Sequence, residues 1–193
     1  MGAVSFCAIG IDIGKKADPS AVCVVMAEER RALDRTSSPE GVTHYMVPFI
    51  QRLPLETKYP QQVARFVEVI TGAAEKCYGQ CPPPEVFADV TGVGEGVLDL
   101  LEPELMKRGI RGLYRVRFTH GDRILVNPGR QISIGKSYMG NRLQILAESQ
   151  RVHLPDIPEA RAWRMSCWIL TSRSMMMAAR SLALCDLALT TIW

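Results

Sequence analysis

A chain of 193 residues with 47% hydrophobic and 22% charged side chains is rich enough for one packed core and too short for two ordinary domains. A single domain is therefore expected. The net charge of +3 permits contact with nucleic acid without requiring it.

The six cysteines, at positions 7, 23, 77, 81, 167 and 185, contain no CxxC pair, so they offer no zinc spacing. The opening MGAVSFCAIG lacks the basic stretch of a secretory leader. Arg173, Arg180 and Asp186 interrupt the apolar C-terminal stretch before it reaches the ~20 residues that a membrane span needs. A cytoplasmic protein is expected.

Ile9, Ile11 and Ile13 alternate with Gly10, Asp12 and Gly14, which predicts a strand that ends on a carboxylate with bare backbone on both sides. Flanking glycines leave room for a hydrated cation or a phosphate to reach Asp12; the plainer alternative is an aspartate capping a turn. Lys15 to Pro19 reads as the turn and Ala21 to Met26 as the hairpin partner. Cys7 and Cys23 fall inside these apolar strands, as buried thiols would.

Glu28 to Gly41 is a charged connection. Thr43 to Leu53 predicts a third strand, placed at a sheet edge because it contains Pro48. Tyr59 to Tyr78 carries Val63, Phe66, Val67, Ile70 and Ala74 at helical spacing, and the loop 79–84 ends it. Glu85 to Asp89 is a short strand that again ends on a carboxylate. The glycine-rich turn 90–96 leads into a helix over about 97–108, and 112–119 reads as a strand. A hairpin follows around Asn127-Pro128-Gly129, then a helix over 135–150 and a short extended piece at 151–154. This order suits a mixed α/β sheet with helices on its faces.

Gly135-Lys136-Ser137 invites a phosphate-loop reading that the sequence refuses. The glycine needed five positions earlier is Arg130, and a hairpin is the wrong context. Lys136 reads instead as a cation at a helix start, able to touch a backbone phosphate or simply to stand in solvent. Lys107, Arg108, Arg111, Arg115 and Arg117 form a basic run that is equally compatible with a solvated surface.

Asp12 and Asp89 both close strands, and in an α/β sheet neighbouring strand ends converge on one crevice. Two carboxylates that close repel each other and invite a divalent cation. Hard oxygen donors select magnesium or manganese, and such cations serve phosphodiester hydrolysis.

The succession GIDIGKKADPSA, VFADVTGVGEGVLDLL, FTHGD and GKSYMGNRLQILAESQRVHLP, running from about Ile9 to Pro158, resembles the nuclease domain of phage terminase large subunits. That resemblance implies a single ribonuclease H-like domain over 1–193: a mixed five-stranded sheet flanked by helices, with an added hairpin. It implies a metal-dependent endonuclease that cuts double-stranded DNA during genome packaging through a two-metal site of Mg2+ or Mn2+. Asp12 and Asp89 match the family's metal ligands, and Asp186 fits the second aspartate of a third motif, His-Asp-Asp before an apolar run. Arg115, Arg117, Lys136 and Arg142 are the candidates for DNA phosphate contact. The implied partners are DNA and a separate packaging ATPase, small terminase or portal, since no motor with a phosphate loop precedes the Asp12 strand in this sequence.

The third motif departs from the family. Read one base earlier, the codons of Met175-Met176-Met177-Ala178 give Asp-Asp-Gly, and those of Met165 to Ile169 can give Asp-Glu-Leu-Leu-Asp. Two compensating indels, near Ala162 and near Cys185, would account for this, with the family frame resuming at Asp186; activity would then be weakened. A divergent Met-rich helix is the alternative. Two other readings stand beside the nuclease. One is an actin-like or sugar-kinase-like nucleotide-binding domain, whose phosphate loops GIDIGKK and DVTGVGEG resemble but whose second domain is absent from the sequence. The other is a non-catalytic DNA-docking remnant of a terminase.

Overall fold

The computed structural model describes residues 4–14, 19–30, 42–92 and 94–156. Strands β1 (Val4–Asp12) and β2 (Ala21–Arg30) form the expected hairpin, antiparallel from Val4 opposite Glu28 to Asp12 opposite Ala21. Strand β3 (Val42–Arg52) continues antiparallel to β2. Helix α1 (Tyr59–Cys77) then carries the chain back, and β4 (Glu85–Asp89) lies parallel to β1 on its other side. Helix α2 (Gly94–Met106) leads to β5 (Leu113–Thr119), parallel to β4. The hairpin β6 (Ile124–Asn127) and β7 (Gln131–Gly135), helix α3 (Lys136–Glu148) and the two-residue β8 (Val152–His153) complete the described chain.

All eight strands belong to one sheet, in the order β6-β7-β5-β4-β1-β2-β3-β8. The five strands β5-β4-β1-β2-β3 form the expected mixed sheet at its centre. The hairpin is not a separate appendage, because β7 pairs in parallel with β5 from Arg115 opposite Gln131 to Thr119 opposite Gly135.

Period-two alternation sorts the central strands into two apolar faces, as a sheet covered on both sides requires. Ile9, Ile11, Ile13, Val86, Ala88 and Val90 face α1 and α2, packing with Phe66, Ile70, Leu98 and Leu101. Ala8, Phe87, Val116, Phe118, Ile132 and Ile134 face the other way, against Met139, Leu143 and Leu146 of α3. Cys7 and Cys23 are buried free thiols, as expected. Burial pushes the Cys23 thiol up to about 12 and raises that of Cys7, which also hydrogen-bonds with Cys77.

Two boundaries differ from expectation, each for a physical reason. Strand β3 is not at the edge, since β8 pairs beyond it, but only at Tyr45 and Met46. Pro48 lies just past that pairing, where the β2–β3 register shifts between Val24 and Met26, and a bulge tolerates a residue without an N–H. Helix α2 begins at Gly94, ahead of the expected 97, and continues through Pro103. The Pro103 ring removes the donor that would meet the Asp99 carbonyl. Among the described residues, no helix is long and apolar enough to cross a membrane.

Strand β8 is fastened by a pair of imidazoles: Nδ1 of His44 lies 2.9 Å from Nε2 of His153, with the rings stacked. Burial first, then the charges of Arg30, His153 and Arg151, hold His44 below its ordinary 6.5, against an upward pull from Glu28. The unfolded chain therefore takes up this proton before the folded one does. The contribution of His44 to stability is complete above about pH 6.5 and falls as pH drops through the lowered folded value. In urea melts taken from pH 7 downward, His44→Asn should lose less stability on acidification than the parent; an unchanged pH slope would place that dependence elsewhere.

Candidate active site

The parallel pairing of β1 with β4 runs from Ala8 opposite Glu85 to Ile11 opposite Ala88, so the next step along both strands sets Asp12 beside Asp89. Adjacent strands lie about 4.8 Å apart. The two carboxylates share the face of Ala8 and Phe87, away from α1 and α2. Asp89 is buried at 9% exposure, and Asp12 is half-buried.

Asp89 is held by its own turn. The Thr91 N–H donates to Asp89 Oδ1 at 2.7 Å, and the Thr91 hydroxyl oxygen accepts from the Phe118 N–H at 3.1 Å. The Val90 N–H donates to the Val116 carbonyl at 2.9 Å, so strand β5 clamps the turn twice. An aspartate that accepts from the backbone two residues on forms a local turn that fixes one carboxylate oxygen.

The glycines of this segment serve packing. Gly92 sits at φ 100°, where other residues are strained. A Cβ on Gly94 would collide with the Asp89 carbonyl oxygen. Helix α2 can start directly beneath the strand end only because Gly94 has no side chain.

The turn after Asp12 is anchored to α1. The Gly14 N–H donates to Ser20 Oγ at 3.0 Å, Ser20 Oγ donates to Gln62 Oε1 at 2.8 Å, and Gln62 Nε2 donates to the Thr57 carbonyl at 2.7 Å. Ser20 and Gln62 are both buried. Sequence reasoning missed this relay, because Ser20 and Gln62 stand at the polar starts of their apolar runs and carry no local signal. A cavity of about 430 Å³ lined by Gly14, Ser20, Thr57, Lys58, Tyr59 and Gln62 opens beside this relay, next to α1 and not over the aspartates.

FTHGD and GKSYMG form one structural unit. The Gly135 N–H donates to the Arg123 carbonyl at 2.8 Å and the Ser137 N–H to the Gly121 carbonyl at 3.1 Å. A Cβ on Gly135 would run into the Gly121 carbonyl. The glycine before Lys136 therefore lets two turns cross. Lys136 itself is exposed at the start of α3, on the carboxyl-terminal side of β7.

The other basic candidates scatter. Arg115 and Arg117 point to the α2 face, opposite the aspartates. Arg115 pairs with Glu102 at 2.8 Å and Asp99 at 3.6 Å, and Arg117 pairs with Glu95 at 2.5 Å. Glu95 and Asp99 thus pair with these arginines, on the face away from Asp12. Arg142 is half-buried on α3. Asp186, Asp18 and the segment 162–185 with its shifted-frame reading lie outside the described residues.

Hard carboxylate oxygens on adjacent strands fit a magnesium- or manganese-class cation in donor chemistry. Among the described residues, no group of three or more His, Cys, Asp or Glu is arranged to hold a metal ion. The described residues therefore bring two carboxylates, Asp12 and Asp89, to this crevice.

Removing the Thr91 hydroxyl should loosen this site without dismantling the fold. Thr91→Val removes the hydroxyl acceptor of the Phe118 N–H, at a cost of about 0.5–1.5 kcal/mol, readable in urea denaturation. A stability equal to the parent's would show that the clamp from β5 does not hold the Asp89 turn.

No protein-family profile matches the sequence, and no curated protein matches it. Among solved structures, the chain is similar to the human cytomegalovirus terminase nuclease domain in a manganese-soaked form. The TM-score is 0.56 at 8% identity, over 99% of this chain and 86% of that one. The same domain, manganese-soaked with an inhibitor bound, aligns with TM-score 0.56 at 7% identity over 96% and 84% of the two chains. Thermus thermophilus RuvC aligns over 93% and 91% at 12% identity, with a TM-score of 0.39 that contributes nothing to the assignment. The β5-β4-β1-β2-β3 core, its covering helices and this likeness together identify the chain's architecture as the ribonuclease H-like fold, in the form seen in a terminase nuclease domain.

Proposed function

We propose that this chain, as a single domain, is a metal-dependent endonuclease that cuts double-stranded DNA in phage genome packaging. The observation that carries the reading is the juxtaposition of Asp12 and Asp89 at the carboxyl ends of adjacent parallel strands. Likeness to a terminase nuclease domain that was soaked with manganese supports it.

Asp12 and Asp89 would hold the divalent cations, Mg2+ or Mn2+, with Asp186 as third ligand. When bound, such cations supply an activated water and stabilise the leaving oxygen. The chain's own groups do the rest. The Thr91 N–H fixes one oxygen of Asp89. The Gly14–Ser20–Gln62 relay holds the turn that follows Asp12. Lys136 and Arg142 would contact backbone phosphates from the α3 side, and Arg115 and Arg117 would meet DNA only around the opposite face. A packaging ATPase, a small terminase or a portal would be the protein partner. Two compensating indels around 162–185 would disturb the third ligand and weaken cleavage.

With supercoiled plasmid and Mn2+, the parent chain should nick and linearise DNA, and EDTA should stop it. Asp12→Asn and Asp89→Asn should each lower the rate at least about 100-fold, the upper end of what losing even a supporting partner of a metal site costs. Cleavage that survives both substitutions would refute the assignment.

A further inference from the structure

Beyond the two aspartates, the strand registers align one more chemically capable residue with the site. Asp12 pairs with Ala21, and Ala21 pairs with Arg52 on β3. Antiparallel partners share a face, and Ala21, Cys23 and Ile50 confirm which one: Ala21 and Cys23 lie in the cluster of the aspartates' side, and Ile50 packs against it. The bulge at Pro48 lies before this stretch, since the pairs Cys23–Ile50, Val22–Gln51 and Ala21–Arg52 are regular. Arg52, Ala21, Asp12 and Asp89 therefore form one row across the sheet.

Two strand spacings, about 10 Å, separate the Arg52 and Asp12 backbones, and the residue between them carries only a methyl group. Arg52 is exposed. Among the described residues it makes no ion pair, whereas Arg30, Arg65, Arg108, Arg115 and Arg117 each pair with a carboxylate. A phosphodiester seated at two carboxylates and their cations has a further backbone phosphate on either side. On the β5 side the row continues into apolar Val116 and Ile132. On the β2 side it ends in a guanidinium, whose planar fork of donors suits a phosphate.

We propose that Arg52 binds the backbone phosphate neighbouring the scissile one and so sets the direction in which the strand crosses the site. The proposal deepens the nuclease reading and rests on it for the position of the cut. It makes Arg52 a substrate-binding residue, with no part in activating water.

The test is equilibrium binding of a fluorescent DNA duplex in Ca2+, across a salt series, by the parent, Arg52→Gln and Arg52→Lys, alongside plasmid cleavage in Mn2+. Arg52→Gln should weaken binding several-fold and flatten the slope of log affinity against log salt by about 0.9, the value of one lost phosphate contact. Arg52→Lys should keep most of the slope. In cleavage, Arg52→Gln should raise KM and leave kcat within about twofold. Equal affinity and slope for parent and Arg52→Gln, with Asp12→Asn still abolishing cleavage, would overturn the role of Arg52 and leave the nuclease standing. A parent that binds with the Arg52-dependent slope yet never cuts would sink the nuclease, and with it the place of Arg52 beside a scissile phosphate, leaving Arg52 a DNA contact only. Unaltered thermal melting of Arg52→Gln, expected for an exposed side chain, excludes misfolding as the cause.

Discussion

The register between β1 and β4 decides where the two aspartates stand. Ile9 and Ile11 face the same helices as Val86 and Ala88, and fully burying an isoleucine is worth roughly 1.5–3 kcal/mol. Slipping β1 by one residue would turn its isoleucines to the other face and press Asp12 into the apolar layer beneath α1 and α2. The hydrophobic pattern thus fixes, at a cost no surface ion pair could offset, that Asp12 emerges beside Asp89 on the face away from α1 and α2. The charges are brought together by residues that never touch them.

Two carboxylates this close repel, and the surrounding structure holds them against that repulsion. Strand β5 clamps the Asp89 turn through Thr91 and Val116, Gly94 lets α2 press up beneath it, and the Ser20–Gln62 relay ties the chain after Asp12 to α1. A pair of hard oxygen donors held in place in this way suits a divalent cation. The charge around the pair is uneven. Arg115 and Arg117 are paired on the far face, while Arg52 and Lys136 stand at the two flanks of the aspartates' side.

Much of the sheet was legible because its signals are local. Alternating isoleucines, the apolar stripe of Val63, Phe66, Val67 and Ile70, and the Asn127-Pro128-Gly129 turn each declare their element within a few residues, and Asp12 and Asp89 announced themselves by ending strands. What was not legible depends on long-range pairing. Pro48 implied an edge strand, but a two-residue β8 from the far end of the described chain covers part of that edge. The glycines after Asp89 resemble a phosphate loop and Gly135 before Lys136 invites one that the sequence refuses; at Gly94 and Gly135 they make room for passing backbone. Arg52 drew no notice because its place in the Asp12 row appears only after two antiparallel registers are counted across a bulge. Arg115 and Arg117 stood out as part of a dense basic run, but strand parity turned them away from the aspartates.

Joint binding of a divalent cation by Asp12 and Asp89 can be read from anomalous diffraction by crystals of this chain soaked in Mn2+. A manganese peak between the two carboxylates, at the roughly 2.0–2.6 Å expected of hard oxygen ligands, is the expected result. Crystals that take up manganese elsewhere, with none within reach of Asp12 and Asp89, would refute a cation site there.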